Sequence, residues 1–272
     1  MMKHIVSFGG GVQSTALALM CIGKDERLLR ATGGALPDLF VFSDTGDEPE
    51  DVYQNVKALK AMIESAGFEF FTVSAGRLSE DFISGKTNVT PPLFTRSRDG
   101  GSAPVRRTCT SDYKVKPILN FLTGHYEINP RKKKNKQHVV QWLGISHDEM
   151  QRMKTSSRRW FSYLYPLVLA GMRRGDCMKI IKAAGLEPVR SACTYCPFHS
   201  SAEWLKISKS KEFKDVVAFE KAIHGKWESG EMSLKNKPFL HRSLVPIDAV
   251  DFEGRQGDMW SMDAECEGIC GV

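Results

Sequence analysis

Short apolar runs that end in polar, glycine-bearing loops recur along the first half of the chain. Ile5-Val6 leads into "SFGGGVQST" (7–15), and Ala16-Leu17-Ala18-Leu19 follows it. Residues 3–7 therefore read as a strand, the glycines as a turn and 14–22 as a helix. "LFVFSDTG" (39–46) has the unbroken apolar stretch of a buried parallel strand with a polar loop at its carboxyl end. In "EPEDVYQNVKALKAMIESAG", Val52, Val56, Leu59 and Ile63 share one helical face, acidic residues fill the first turn and Gly67 closes the element. "FEFFTVS" (68–74) returns to a strand. This β-α-β-α-β order predicts an α/β chain with an open, doubly wound, mostly parallel sheet between helices.

Periodicity then stops. From about 76 to 108 the chain is rich in Gly, Ser, Pro and Arg and reads as a long mobile loop, the kind of segment that covers an active site. A helix resumes at Lys116 or Pro117, "HVVQWLGIS" (138–146) is a strand with a polar end, and "RRGDCMKIIKAAG" is a helix closed by Gly185. "SAEWLKISKS" and "EFKDVVAFEKAIHGKW" are the clearest later helices. The expected division is an α/β domain over 1–190, with 76–108 as its lid, and a helical, cysteine-containing region over 191–272 with a mobile tail.

At 272 residues, 42% hydrophobic and 26% charged, the composition is that of a soluble globular protein. No apolar run approaches the ~20 residues of a membrane helix, and the N-terminus lacks the apolar length of a signal peptide, so a cytoplasmic protein without membrane attachment is expected. The net charge of +6 is partly concentrated in "RKKKNKQH" (131–138). That run reads either as a solvated loop or as a contact for the phosphate backbone of tRNA or DNA.

A glycine turn between a strand and a helix gathers backbone N–H groups at the positive end of the helix dipole, a ready site for phosphate. The loop lacks both G-K-[ST] and G-x-G-x-x-G, but Ser14 and Thr15 add hydroxyls to Gly9, Gly10, Gly11 and Gln13. Ligands of open parallel sheets bind at the carboxyl ends of strands. Two further polar clusters are predicted there: Ser43-Asp44-Thr45-Gly46, and Gly144-Ile145-Ser146 followed by Asp148, Glu149 and Arg152.

Seven cysteines without a secretory signal should be reduced thiols. Cys21 and Cys177 lie in apolar helical patterns and read as small core residues. Cys193 and Cys196 form C-x-x-C, which has redox, zinc and iron–sulfur readings; a zinc site would need two further ligands, for which His199 and Cys109 are available.

In order, "SFGGGVQST", "SDTGDEPEDVY", "RRTCTSDYKVKPI", "GISHDEMQR" and "YPLVLAGMRRGDCMKIIKAAGL" resemble the signature segments of phosphoadenosine phosphosulfate (PAPS) reductase-like proteins, members of the PP-loop adenine nucleotide alpha-hydrolase group. The likeness covers most of residues 1–200. It implies an adenine nucleotide (ATP, adenylyl sulfate or PAPS) with its phosphates on Gly9 to Thr15, beginning from Ser7. Ser43, Asp44 and Gly144 would lie nearby, and Arg106, Arg107, Lys114 and Arg152 would supply positive charge. Gln13 stands where ATP-cleaving members carry an Asp suited to magnesium and pyrophosphate, and matches the reductases better. The iron–sulfur reductases bind a 4Fe–4S cluster through a C-C pair and a later C-x-x-C. Here Cys109 takes the first place, Thr110 replaces the second, and Cys193 follows 84 residues on, with Cys196, so the resemblance leaves three outcomes: a three-cysteine cluster with an open iron, a fourth thiolate from the tail, or no cluster. The tail "ECEGICGV" is similar to the reductase tail whose mobile cysteine attacks sulfur, which implies Cys266, or the additional Cys270, as nucleophile.

Three functions follow from these readings. The first is a sulfonucleotide reductase in which a tail thiolate attacks the sulfonate sulfur and an external thiol such as thioredoxin releases sulfite. The second is an ATP-dependent transferase that thiolates tRNA or DNA, with sulfur delivered at a three-cysteine cluster. The third is a nucleotide-binding regulatory module without turnover. Pairing into a homodimer is left open by the sequence.

Overall fold

The computed structural model describes residues 1–86 and 91–253. Five parallel strands form the central sheet: β1 (Met2–Phe8), β2 (Leu39–Asp44), β3 (Glu69–Ser74), β6 (His138–Leu143) and β7 (Phe161–Leu164), in the order β3-β2-β1-β6-β7. A separate antiparallel hairpin joins β4 (Phe94–Arg96) to β5 (Ser102–Pro104). The helices are α1 (Val12–Ile22), α2 (Glu26–Ala31), α3 (Glu50–Ser65), α4 (Leu78–Ile83), α5 (Lys116–His125), α6 (Pro166–Leu169), α7 (Arg174–Ala183), α8 (Ser201–Ser208) and α9 (Phe213–Glu228).

Alternation along the strands sends side chains to opposite faces of the sheet. Val6, Phe8, Phe40, Phe42 and Trp142 pack on one face against apolar residues of α1, α3 and α7, among them Leu17, Leu59 and Ile181. Ile5, Leu39, Val41, Val139 and Phe161 pack on the other, against Ile118 and Leu122 of α5. Cys21 and Cys177 are buried in the first of these cores, the structural role expected of them. Two-sided burial explains why β2 reads as an unbroken apolar run.

The chain builds β1, β2 and β3 outward in one direction, then crosses to β6 on the other side of β1. The strand order thus reverses between β1 and β6. Crevices at the carboxyl ends of strands flanking such a switch are where open α/β sheets hold ligands. The glycine loop follows β1 and Gly144 follows β6, so both border this crevice.

Residues 76–108 differ from the structureless stretch expected. They contain α4 and the hairpin, and Leu78, Phe82 and Leu93 share a core with Trp204 of α8 and Phe219 and Ile223 of α9. The apolar residues are too widely spaced to show a period, and they are buried by distant helices instead of by one another. Sequence reading also passed over α2, which Asp25 caps by accepting from the Arg27 N–H at 2.9 Å, and the four-residue β7. Cys266 and Cys270 lie outside the described residues. Among the described residues, no helix is long and apolar enough to cross a membrane.

Candidate functional site

The glycine loop owes its shape to close packing as well as to chain reversal. Gly10 has φ +76°, and a Cβ there would stand 2.9 Å from Val56 Cγ2. Asn55 of α3 fixes the loop by donating from Nδ2 to Gly10 O at 2.8 Å and to Thr15 Oγ1 at 3.2 Å. Ser14 donates its hydroxyl to Gly11 O at 3.2 Å. These two hydroxyls therefore serve the loop's own geometry. Gly11, the N-cap of α1, brings no side chain over the helix end.

Gln13 is fully buried and ties this loop to the one after β6. Its Nε2 donates to Glu149 Oε2 at 2.9 Å and approaches Ser146 Oγ at 3.5 Å, while its Oε1 accepts from Arg174 at 3.1 Å. Arg152 pairs with the other oxygen of Glu149 at 2.9 Å. The result is a linked row, Arg174–Gln13–Glu149–Arg152, in which neutral Gln13 bridges Arg174 to the Glu149–Arg152 ion pair. The Glu149 carboxylate thus lies directly beside position 13.

The loop after β2 leads to a second locus. Ser43 donates to Tyr113 O at 2.7 Å, and Asp44 Oδ1 accepts from Gly46 N and from the Tyr53 hydroxyl, each at 2.8 Å. Both predicted nucleotide contacts are thus engaged in holding this loop. Asp47 Oδ1 accepts from Arg77 at 3.0 Å and from the Ser79 hydroxyl at 2.7 Å, and Oδ2 accepts from Ser79 N at 2.7 Å. Burial pushes the Asp47 carboxyl above its ordinary range, and these bonds oppose the rise. The backbone of the same residue receives Thr194 N at 2.8 Å, so this loop anchors the C-x-x-C turn, in which Cys196 N donates to Cys193 O at 2.8 Å.

Cys109, Cys193 and Cys196 line one small, part-open pocket with Arg107, Lys114 and Thr45. Cys109 opens a π-helical turn, Thr110–Val115, which brings Lys114 to the same space. Such wide turns are frequent at functional sites. Cys193 Sγ lies 3.4 Å from Thr45 Oγ1 and 3.6 Å from Glu48 Oε1. Burial pushes the Cys193 thiol well up, Glu48 adds to the effect, and Lys114 and Thr45 act against it. A nearby cation is what such a thiol needs to ionise. The Arg107 guanidinium lies 4.8 Å from the centre of the Phe198 ring.

The chain matches no protein-family model and no curated protein.

The predicted residues fall into two groups on neighbouring strands, since Phe8 of β1 registers with Phe42 of β2. Gly9 to Thr15, Gly144 and Arg152 border the switch-point crevice, where Ser7 of β1 registers with Leu143 of β6. Arg107 and Lys114 belong with the cysteines. His199, the other zinc candidate, lines a different cavity, beside Arg190 and Glu203, although its Nε2 is 3.0 Å from Cys193 O. Among the described residues, no three or more His, Cys, Asp or Glu side chains form a group that could hold a metal ion in the positions they occupy. The donors are still those of an iron–sulfur site in kind, three thiols on one pocket, beside a buried carboxylate whose Oε2 has no hydrogen-bond partner.

The basic run is elsewhere. It precedes β6, at the amino ends of the strands, where the N-terminal ammonium donates to Lys136 O at 2.7 Å. The six residues of β6 separate it from the crevice by about 20 Å. Sequence reasoning missed Glu48, Asn55 and Arg174. Asn55 is a buried polar residue one position from the apolar face of α3, the one local signal that could have marked it.

Proposed function

We propose that the chain is an enzyme of the PAPS reductase-like, PP-loop kind that binds an adenine nucleotide at the β1/β6 crevice and carries out cysteine-dependent sulfur chemistry. The observation that carries this reading is the convergence of Cys109, Cys193, Cys196, Arg107 and Lys114 on one pocket, on the strand next to the glycine loop. Positions 84 residues apart in sequence have no local reason to meet.

In this reading the first-turn amides of α1 and the Gly9–Gly11 backbone receive phosphate oxygens, with Arg152 and Arg174 compensating charge at the wall. Adenylyl sulfate or its 3′-phosphorylated form is the substrate. The Cys266 or Cys270 thiolate attacks the sulfonate sulfur, the sulfur–oxygen bond to the nucleotide breaks, and AMP or its 3′-phosphate leaves. A second thiol, as of thioredoxin, then attacks the tail sulfur, forms a disulfide with it and releases sulfite. Arg107 and Lys114 offset the sulfonate's negative charge. The three cysteines would hold the 4Fe–4S cluster, which supplies iron bound by thiolates close to the reacting sulfur. Sulfite release from adenylyl sulfate, abolished in Cys266→Ser or Cys270→Ser, supports the reading; its absence in anaerobically prepared protein refutes it.

The Glu149 carboxylate beside the glycine loop favours a second reading, ATP-dependent sulfur transfer to tRNA or DNA, in which it would face the magnesium of ATP. Pyrophosphate release from ATP that requires nucleic acid distinguishes this reaction from the first.

A further inference from the structure

We infer that the groove along the open edge of β7 holds a single-stranded nucleic acid and leads it to the crevice, an inference that rests on the nucleic-acid reading above. Charge is the first observation. From Met150 to Gly175 the chain carries Arg152, Lys154, Arg158, Arg159, Arg173 and Arg174 and no Asp or Glu, an excess equal to the +6 of the whole chain. A stretch of one sign attracts a polyanion.

Geometry is the second observation. β7 ends the sheet, and among the described residues it pairs with β6 alone, so its outer edge is open. Segment 153–156 forms one side of a groove there, and Ser162, Tyr163 and Tyr165 form the other. The Tyr165 hydroxyl fixes that segment, accepting from Lys154 N and donating to Lys154 O, each at 2.8 Å. Tyr163 is half-buried and held by an edge-on contact with Phe161, ring centres 5.1 Å apart. Arg158 is close enough for its charge to act on the Tyr163 hydroxyl. Single strands are bound by this combination, a phosphate on the cation and a base face on the ring.

The ends of the groove give it direction. At the amino end of β7, Ser162 Oγ lies 2.9 Å from Nε2 of His138, the last residue of the basic run, and the exposed Arg158 and Arg159 precede the strand. At the carboxyl end, Lys154 follows Arg152, whose partner Glu149 holds Gln13 of the glycine loop. The groove therefore connects the run at 131–138 with the crevice about 20 Å away. Lys154, Arg158 and Arg159 take phosphates along it, and Tyr163 stacks one base. A duplex stacks its bases on one another, so only an unpaired stretch offers a base face to Tyr163.

The test is fluorescence anisotropy of the full chain with one labelled oligonucleotide sequence, as single-stranded RNA, single-stranded DNA and the matching duplex, over a range of salt. Arg158→Gln with Arg159→Gln, and Tyr163→Leu, are compared with the parent. Lys214→Gln with Lys221→Gln on α9 removes the same charge elsewhere, and circular dichroism checks folding. One of the single strands, RNA or DNA, is expected to bind more tightly than the duplex. The arginine pair should reduce the slope of log affinity against log salt by about 1.4, and the α9 pair should leave it unchanged. Tyr163→Leu should weaken binding about fivefold or more at an unchanged slope. The inference fails if the arginine pair behaves as the α9 pair does, if the duplex or polyglutamate binds as tightly as the single strands, or if the parent binds neither strand. Pyrophosphate release from ATP that requires nucleic acid then shows whether the underlying reading survives. Should Tyr163→Leu not fold, the arginine pair decides alone.

Discussion

Lys114 Nζ stands 3.2 Å from Glu48 Oε1, and the two side chains are only 11% and 1% exposed. Nothing in either local sequence pairs them. The contact joins the π-helical turn after Cys109 to the loop after β2 and so fixes one wall of the cysteine pocket. Removing one member of a buried pair strands the other charge, which costs about 3–5 kcal/mol. Lys114→Met is therefore expected to lower unfolding stability by about that amount, and Lys114→Met with Glu48→Gln to recover much of the loss. Urea unfolding of the metal-free single and double variants measures both; equal stability of the single variant and the parent would refute the pairing.

Gly46 separates two costs that are usually confounded. It has φ +76°, and a Cβ would meet Arg77 Cγ at 2.9 Å and Arg77 Cα at 3.0 Å. Gly67 has φ +88° but nothing within 4 Å of its Cβ position. Gly67→Ala should show only the left-handed penalty, about 1–2 kcal/mol. Gly46→Ala should cost about 1–3 kcal/mol more, because a backbone atom cannot simply swing away. Thermal unfolding of the pair decides it: if the two substitutions cost the same, the close approach of Arg77 has no energetic weight.

Elements with a sustained period were legible in the sequence. The face Val52, Val56, Leu59 and Ile63 is buried as α3 requires, and "LFVFSD" lies between two helical layers as an unbroken apolar run should. Elements stabilised by distant partners were not legible: α4 contributes Leu78 and Phe82 to a core completed by α9. The site divides in the same way. The glycine loop is a local pattern and was visible, as was each cysteine. Glu48 reads in sequence as one more acid before a helix, and only a contact 145 positions away distinguishes it from the exposed Glu50 beside it. Tertiary burial, not residue type, carries that information.

Glu203 supplies a pH test. Burial pushes its carboxyl up, but bonds from His199 and Ser200 and the charge of Arg190 outweigh that and hold it at about 2. Ser200 N and Oγ donate to it at 2.7 and 2.8 Å, and Arg190 is in direct contact. A carboxyl whose folded pKa is depressed contributes stability that is present above its unfolded value, near 4.5, and is lost as pH falls through about 2. The whole contribution is on the order of 3 kcal/mol. Urea midpoints measured from pH 5 to ~2 should therefore fall more steeply for the parent than for Glu203→Gln. Parallel curves would show that the carboxylate is not held as described.

The two candidate anion sites, the glycine loop after β1 and the basic run before β6, lie at opposite ends of the sheet. Gln13→Glu would place a carboxylate where Gln13 Nε2 now lies 2.9 Å from Glu149, turning a hydrogen bond into a like-charge contact beside the first turn of α1. Negative charge there opposes phosphate, and a loss of about 1.4 kcal/mol lowers nucleotide affinity tenfold. The run at 131–136 lies at the far end of β6, so alanine at Lys132, Lys133 and Lys134 should leave nucleotide affinity unchanged. Calorimetric titration with ATP and with adenylyl sulfate is expected to give at least about tenfold weaker binding in Gln13→Glu and parental binding in the triple variant. The opposite ranking would move the nucleotide away from the glycine loop and to the other end of the sheet.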